Sequence, residues 1–432
     1  MSKKKSLFSW REVRPSAGSV VAPDERLPWP QTAALGVQHV IAMFGATVLA
    51  PILMGFDPNL AILMSGVGTL IFYFVTGGRV PSYLGSSFAF IGVVIAASHY
   101  GGAGPNGNLA GALGGIVACG LVYALIGGVV VLAGTRWIEA LMPPVVTGSV
   151  VAVIGLNLAS VPIKNMAHSP FDAWTEGLTF MCVAGVAVFT GGILQRLLIL
   201  VGLMVAGAIY ALLTSGFGLG TPIDTAGIAS AAWFGLPQFA APVFDVQSAL
   251  LIAPVAVILM AENLGHLKAV GAMTGRDMDP LIGRAFIGDG IATMVSGAVG
   301  GTGQTTYAEN IGVMAATRIY STATFVVAAM AAVVLGFSPK FGALIQAIPL
   351  PVMGGVSIVV FGLIAVAGAR IWVENKVDFT QPANLMVAAI TLVLGTGDYT
   401  LHFGDFTLGG IGTATFGALL LWAILGRRRP QR

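Results

Sequence analysis

Three carboxylates interrupt stretches that otherwise carry no charge. Glu262 falls late in the apolar run at 250–266 (LLIAPVAVILMAENLGH), Glu309 follows a segment rich in Gly and Thr, and Asp289 stands near the start of another apolar run. A carboxylate at the centre of a hydrocarbon span costs about 2.5–3.5 kcal/mol on insertion scales, so it persists where it has a partner or a task. Glu262 and His266 are four residues apart, which places them on one face of a helix and suits proton handling. A solvated His266 at the cytoplasmic mouth is the alternative. Asp289 fits either a functional role or bonding to nearby helix ends. Asp224, Asp277, Asp279 and Asp378 lie in loops or at span ends, where solvation accounts for them. Gln38 and His39, early in the first apolar run, read as hydrogen-bonding braces between helices in preference to pathway residues. Cys119 and Cys182 sit in apolar stretches, which argues against a disulfide framework or metal cluster. With no His-rich metal set, no HExxH and no paired catalytic Asp motif, the sequence is not that of an enzyme.

Two Gly-, Ser- and Thr-rich segments position these groups: Gly85-Ser86-Ser87-Phe88-Ala89-Phe90, and 301–310 (GTGQTTYAEN). The apolar runs that hold them, about 84–98 and 305–316, are too short to span a bilayer as helices. Irregular backbone at membrane depth is tolerated only where protein or a cavity satisfies its N–H and C=O groups. Such segments meeting at mid-bilayer offer free amides to the carbonyl oxygens of a polar solute. Phe88 reads either as packing or as a flat ring that stacks on a planar ligand.

Around these segments the chain is built for lipid. Charged residues make up 9% of the 432, against about 25% in a soluble domain. Apolar runs fall at about 31–54, 59–77, 84–98, 109–133, 142–160, 177–194, 197–214, 248–265, 285–300, 305–316, 319–337, 349–367, 381–396 and 407–426, which makes fourteen spans. With both termini in the cytoplasm, all of the 21 Lys and Arg except Lys164 and Lys340 lie inside, as the positive-inside rule requires. The inner set includes Arg79, Arg136, Arg196, a loop from Lys268 to Arg284, Arg318, Arg370, Lys376 and Arg427–Arg429. The loop at 215–247 has no Lys or Arg and lands outside. The first 29 residues are polar and basic (Lys3, Lys4, Lys5, Arg11, Arg14, Arg26), unlike a cleaved signal peptide. The expectation is an inner-membrane protein in contact with lipid and with no nucleic-acid partner.

An internal repeat supports this count. Residues 144–158 (PVVTGSVVAVIGLNL) and 351–365 (PVMGGVSIVVFGLIA) match without a gap at Pro144/Pro351, Val145/Val352, Gly148/Gly355, Val153/Val360, Gly155/Gly362 and Leu156/Leu363. Each follows a Pro-rich turn. Seven spans per half is an odd number, so the halves insert with opposite topology. Interrupted segments at corresponding places of inverted repeats point to the binding site of a secondary transporter.

The run 309–318 (ENIGVMAATR) resembles the signature of the nucleobase–ascorbate transporter family, also called nucleobase:cation symporter-2. That signature is Glu, Gln or Pro, then Asn-x-Gly, four variable residues, then Thr and a basic or small residue. The resemblance extends through QHVIAMFGATVLAP at 38–51, PSYLGSSFAF at 81–90, AENLGH at 261–266, TTYAENIGVMA at 305–315 and IPLPVMGGVS at 348–357. The bacterial uracil permeases, proton symporters, are the nearest branch.

The resemblance implies an all-α polytopic fold of fourteen spans in two inverted repeats of seven, with short β-strands in the broken spans 3 and 10. It implies a core domain of spans 1–4 (30–135) and 8–11 (248–340). A gate domain follows from spans 5–7 (136–247) and 12–14 (341–432, with the basic tail), after an N-terminal tail at 1–29. By the same resemblance the base contacts Glu262 and Glu309 and the backbone amides at Phe88 and Ala308. Tyr307, in the same broken segment, is a further expected substrate contact, with Asn310 beside it as support. His266 matches a histidine implicated in proton coupling. No cofactor is implied; the proton is the coupling ion, and a homodimer through the gate domain is a further implication.

Two positions depart from the uracil permeases. Ala308 stands where Gly is usual, adding a methyl group, and Phe361 stands where the related type carries Tyr. Glu at 309 favours a pyrimidine, since xanthine and urate carriers tend to have Gln there. Uracil offers two N–H donors and two carbonyl acceptors, which two carboxylates and two amides satisfy, and such a site rejects analogues that leave a group unpaired. The expected mechanism is alternating access, with Glu262 carrying the proton. The competing readings are a purine or xanthine carrier of the same family, and an anion carrier or channel on the same fold.

Overall fold

The computed structural model describes residues 8–14, 19–100, 104–165, 167–403 and 406–426. Lys3, Lys4, Lys5 and the tail Arg427–Arg429 lie outside them. In hydrocarbon every backbone group must bond within its own segment, and the apolar runs accordingly form helices. We label α1 (Trp29–Met54), α2 (Pro58–Thr76), α3 (Ile91–Ser98), α4 (Leu109–Ala133), α5 (Pro144–Leu158), α6 (Pro170–Phe189) and α7 (Leu198–Ala211). In the second half lie α8 (Val255–Thr274), α9 (Asp279–Val299), α10 (Ala308–Thr317), α11 (Thr322–Gly336), α12 (Leu350–Glu374), α13 (Pro382–Thr396) and α14 (Gly410–Leu425). Pro in the first turn opens several of them, where its missing N–H costs nothing. At α2 the Asp57 side chain caps Asn59 N, and left-handed Gly77 ends the helix.

Among the described residues, 8 helices are long and apolar enough to cross a membrane, or 9 if one bent pair counts as a span. That pair is α11 and the short helix Pro339–Gln346, which meet at 82°. The helix α9 has 21 residues but carries Asp279, Arg284 and Asp289.

Two of the differences from the sequence expectation bear on the carboxylates. A short helix, Val246–Ile252, breaks at Pro254 and continues as α8 to Thr274, making a 29-residue span. Glu262 is therefore in the interior of that span, not late in it. Lys268 lies on the helix and not in a loop, its ammonium paired with Glu139 at 2.7 Å and Asp279 at 3.0 Å. Similarly, α9 starts at Asp279, led by Pro280 and by Asp277 accepting from Asp279 N. Asp289 thus stands mid-helix and Arg284 is helical. Hydropathy alone starts this segment at Ala285, directly after Arg284.

Helix contacts fall into two sets. In one, α4 packs on α9, α2 on α9 and α11, and α1 on α11. In the other, α5 packs on α12, α13 and α14, α6 on α7 and α12, and α13 on α14. Contacts between the sets, such as α5 with α8 and α1 with α7, are sparser. Small residues let backbones touch where α4 crosses α9. A Cβ on Gly120 of α4 would lie 2.7 Å from Gly290 O of α9, and one on Gly290 would lie 2.6 Å from Gly120 O.

The described part of the N-terminal segment is docked. Strands β1 (Arg11–Glu12) and β2 (Glu25–Arg26) pair in parallel, and Val21 bridges to Ile319. Trp10 Nε1 donates to Thr322 Oγ1 at 2.9 Å, Ser321 Oγ to Glu25 O at 2.5 Å, and Arg276 pairs with Asp24 at 2.5 Å.

Candidate functional site

Two chain segments break helical structure deep in the first set of helices. Strand β3 (Leu84–Ser86) leads into a single 3-10 turn at Phe88–Phe90 and then α3; strand β4 (Gln304–Thr306) leads into α10. They pair antiparallel, with Leu84 opposite Thr306, Gly85 opposite Thr305 and Ser86 opposite Gln304. All six residues are buried, so neighbouring side chains must serve the freed backbone. Leu84 N donates to Thr69 Oγ1 at 2.9 Å, and Gln304 N to Thr293 Oγ1 at 3.1 Å. Ser296 Oγ donates to Thr302 O at 2.6 Å, and the Ser86 and Thr302 hydroxyls bond at 2.5 Å. Glycine is required here by space: a Cβ at Gly85 would lie 2.5 Å from the Tyr307 ring, and one at Gly303 2.2 Å from the Phe90 ring.

This break directs helix starts at one region. The leading N–H groups of a helix have no intrahelical acceptor and carry the positive end of its dipole. Those starts lie at Phe88 and at Ala308. Glu309, half-buried, is in the first turn of α10. Glu262, half-buried on α8, is within electrostatic range of Glu309, with the Thr305 hydroxyl beside it. That hydroxyl is buried.

Behind Glu262 runs a polar chain. His266 Nδ1 lies 2.8 Å from Thr306 Oγ1, which donates to Asn263 Oδ1 at 3.3 Å. Thr306 has one proton to give, so Nδ1 is the donor of the first bond, and in the neutral ring Nε2 is then the acceptor. Asn263 Nδ2 donates to Asp289 Oδ2 at 2.5 Å and to Tyr123 Oη at 3.0 Å. Asn263 and Asp289 are fully buried, and Asp289 Oδ1 has no protein partner. Glu262 and Asp289 also lie within electrostatic range of one another.

The side of α8 and α10 that bears these groups is open. Ala308 is exposed, and a Cβ at Gly265 or Gly312 would meet nothing within 4 Å. The second helix set approaches through Phe361 of α12, whose ring centroid is 5.8 Å from that of Phe88 at 88°.

The structure therefore gathers Glu262, His266, Glu309, Ala308, Phe88 and Phe361, with Asp289 one layer behind. Tyr307 is different. Its side chain is 3% exposed, donates to Ser86 O at 2.9 Å and accepts from Thr47 at 3.1 Å. Its ring thus holds the strand pair to α1. His39 and Asn310 brace α1 against α10, with Asn310 Nδ2 3.0 Å from both His39 Nδ1 and His39 O. Gln38 departs from the expected brace, since its buried Nε2 finds no protein acceptor. Thr305, Thr306 and Asn263 were not singled out in the sequence. Asn263 had a visible signal, being a second polar residue beside Glu262 in an apolar run.

A family model of xanthine/uracil permeases, described as "Permease family", matches residues 30–403. The chain belongs to the nucleobase:cation symporter-2 permeases. The RutG protein of Escherichia coli (strain K12), provisionally named a pyrimidine permease, is 67% identical over 95% of this chain and 92% of its own. The uracil permease of Paenibacillus larvae subsp. larvae is 42% identical over 93% of this chain and 96% of its own; that of E. coli K12 is 38% identical over 95% and 96%. As a permease the protein is an integral membrane transport protein and not an enzyme. The transmembrane domain of a cyanobacterial bicarbonate transporter, BicA, shares its fold at TM-score 0.59 with 16% identity, over 85% of this chain and 96% of that one. Murine Slc26a9, an anion transporter, does so at 0.60 with 11% identity, over 92% and 69%.

Proposed function

We propose that this permease is a proton symporter that carries uracil or a related pyrimidine nucleobase into the bacterial cytoplasm by alternating access. The observation that carries the proposal is the pair of carboxylates, Glu262 and Glu309, within electrostatic range of one another beside two helix starts. Carboxylates accept the two ring N–H donors of a uracil, and the amides at Phe88 and Ala308 serve its carbonyl oxygens. Phe88 covers the ring face. Tyr307 braces the strands and Thr305 adds a hydroxyl. The names of the similar proteins, uracil and pyrimidine permeases, support the substrate class.

Glu262 carries the coupling proton in this reading, and His266 adjusts it through Thr306. Asp289, fixed by Asn263, supports α8 from behind. The two contact sets are taken as core (spans 1–4 and 8–11) and gate (spans 5–7 and 12–14) of a fourteen-span inverted repeat with cytoplasmic termini. Exchanging the halves turns α4 on α9 into α11 on α2, α6 on α7 into α13 on α14, and α6 on α12 into α13 on α5; all of these contacts are extensive. The open side of α8 and α10 leads toward the helix ends at Thr274 and Thr317, which the positive-inside pattern assigns to the cytoplasm. Dimerisation through the gate belongs to the same reading.

The test is uptake of labelled uracil into proteoliposomes under an imposed inward proton gradient, with xanthine, thymine and uric acid as competitors. Gradient-driven accumulation that pyrimidines compete for and purines do not is expected. Preferential competition by xanthine would move the protein to the purine branch.

A further inference from the structure

An apolar groove of about 860 Å³ lies between the two helix sets, and none of the residues of the nucleobase site lines it. Its walls are Val40 and Phe44 of α1, Leu203 of α7 and Met330 of α11, and Phe341 and Ile345 of the short helix Pro339–Gln346 roof it. Every lining side chain is apolar. The walls belong to spans that lie in hydrocarbon, so the groove offers water no hydrogen bond. Its mouth is open, for Met330, Val334, Met204 and Leu344 are all exposed. The volume is in the range of pockets that hold a sizeable ligand.

The roof helix also carries a charge. After the 82° bend that follows α11, Lys340 precedes Phe341; its ammonium sits 4.9 Å from the centroid of the Trp233 ring and donates to Ala231 O at 3.5 Å, which leaves two further N–H groups for an anion. The stretch carrying Trp233 is tied to this corner by Lys340 N to Ala232 O at 2.9 Å and Gly235 N to Phe337 O at 3.0 Å. That stretch exposes Trp233, Phe234, Leu236 and Phe239. Exposed Trp and Phe around a lysine are the composition of a membrane–water interface, where lipid phosphates lie. By the sequence orientation, Lys340 and Lys164 are the two cations of the outer side.

We propose that a membrane phospholipid occupies this groove, with its phosphate at Lys340 and one acyl chain between α1, α7 and α11. Charge complementarity at Lys340 selects a phospholipid over an uncharged apolar molecule. The chain would fill space that the two helix sets leave unpacked.

The test uses the full-length protein in liposomes containing phosphatidylglycerol with a photoreactive diazirine in its acyl chain. Labelled sites are mapped by peptide mass spectrometry. Enrichment on the groove faces of α1, α7 and α11, over surfaces such as those around Leu132 and Phe189, is expected. Lys340→Gln should lower groove labelling about fivefold, the effect of removing one lysine from an anionic lipid surface. Ala331→Trp, which fills the groove wall, should abolish labelling there while leaving it on the other faces; this internal reference separates a filled groove from a misfolded protein. Equal labelling of all lipid-facing surfaces, or groove labelling unmoved by Lys340→Gln, overturns the proposal.

Discussion

Replacing each carboxylate of the pair by its amide should separate binding from coupling. Gln at 262 or 309 keeps the shape of the side chain but cannot hold a negative charge or release a proton. A hydrogen bond to a charged group contributes about 1.5–3 kcal/mol. At 1.4 kcal/mol per tenfold, Glu309→Gln should raise the KM for uracil by about 10–150-fold. Because Glu309 lies in the first turn of α10 while Glu262 sits in the interior of α8, the substitution leaves the proposed proton carrier in place. Uphill accumulation should persist at saturating uracil. Glu262→Gln should behave otherwise. One proton moving through 100 mV supplies about 2.3 kcal/mol, equivalent to roughly a fifty-fold concentration ratio. Without a proton carrier that ratio should fall to one, while exchange of labelled for unlabelled uracil across the membrane continues. Accumulation and exchange measured in the same proteoliposomes distinguish the two. If Glu262→Gln still concentrates uracil several-fold against its gradient, the assignment of the coupling proton is wrong.

Three further substitutions probe other parts of the structure. Ala308→Gly removes a methyl group at the start of α10 and should shift the thymine-to-uracil preference toward thymine by about tenfold, the usual worth of one carbon in a tight pocket; competition assays read it. Gly290→Ala puts a Cβ 2.6 Å from Gly120 O and should destabilise the protein by about 1–3 kcal/mol through overpacking. Gly362→Ala, whose Cβ meets nothing within 4 Å, should leave the thermal midpoint in detergent unchanged. Glu25, outside the membrane spans, is held below its ordinary carboxylate range by the Ala22 N–H and by Arg11. A depressed carboxylate contributes above its unfolded value, about 4.3, and loses the contribution as pH falls through the folded one. The N-terminal arm should therefore stay docked at neutral pH and become sensitive to pepsin below about pH 4.

What the sequence disclosed, and what it hid, follows from which forces are local. Apolar runs located the helices because the bilayer demands self-sufficient backbones. The same criterion cut α8 short before Lys268 and started α9 after Arg284, since charged residues at helix ends look like loop. The Gly, Ser and Thr content of 85–90 and 301–310 disclosed irregular backbone. It could not disclose that Gly85 opposes Thr305, a register set by the packing of Tyr307 and Phe90 against glycines of the other half. The link from His266 through Thr306 and Asn263 to Asp289 crosses three elements, and only Asn263 left a trace beside Glu262. The docking of Val21 and Glu25 onto the start of α11 had no signal, because a polar, basic segment reads the same whether bound or free.

The proposed repeat is least symmetric where the chemistry lies. The contact of α1 with α11 is extensive, whereas its counterpart under exchange of the halves, α8 with α4, is much sparser. On the α1 side, a Cβ at Gly36 would lie 2.6 Å from Val327, so backbone and side chain are locked together. On the α8 side, Glu262, Gly265 and His266 are only half-buried, and Gly265 has free space in front of it. Packing has been given up on the helix that carries the carboxylate, which leaves room for a solute to pass. Gly265→Trp tests this directly. A bulky ring placed into open space should cost little stability, leaving the thermal midpoint close to that of the wild type. It should nevertheless cut uracil transport by at least about tenfold, because steric blockage acts on passage and not on folding. Normal transport with a tryptophan at this position would mean that the solute does not travel along the face of α8 between Glu262 and Ala269.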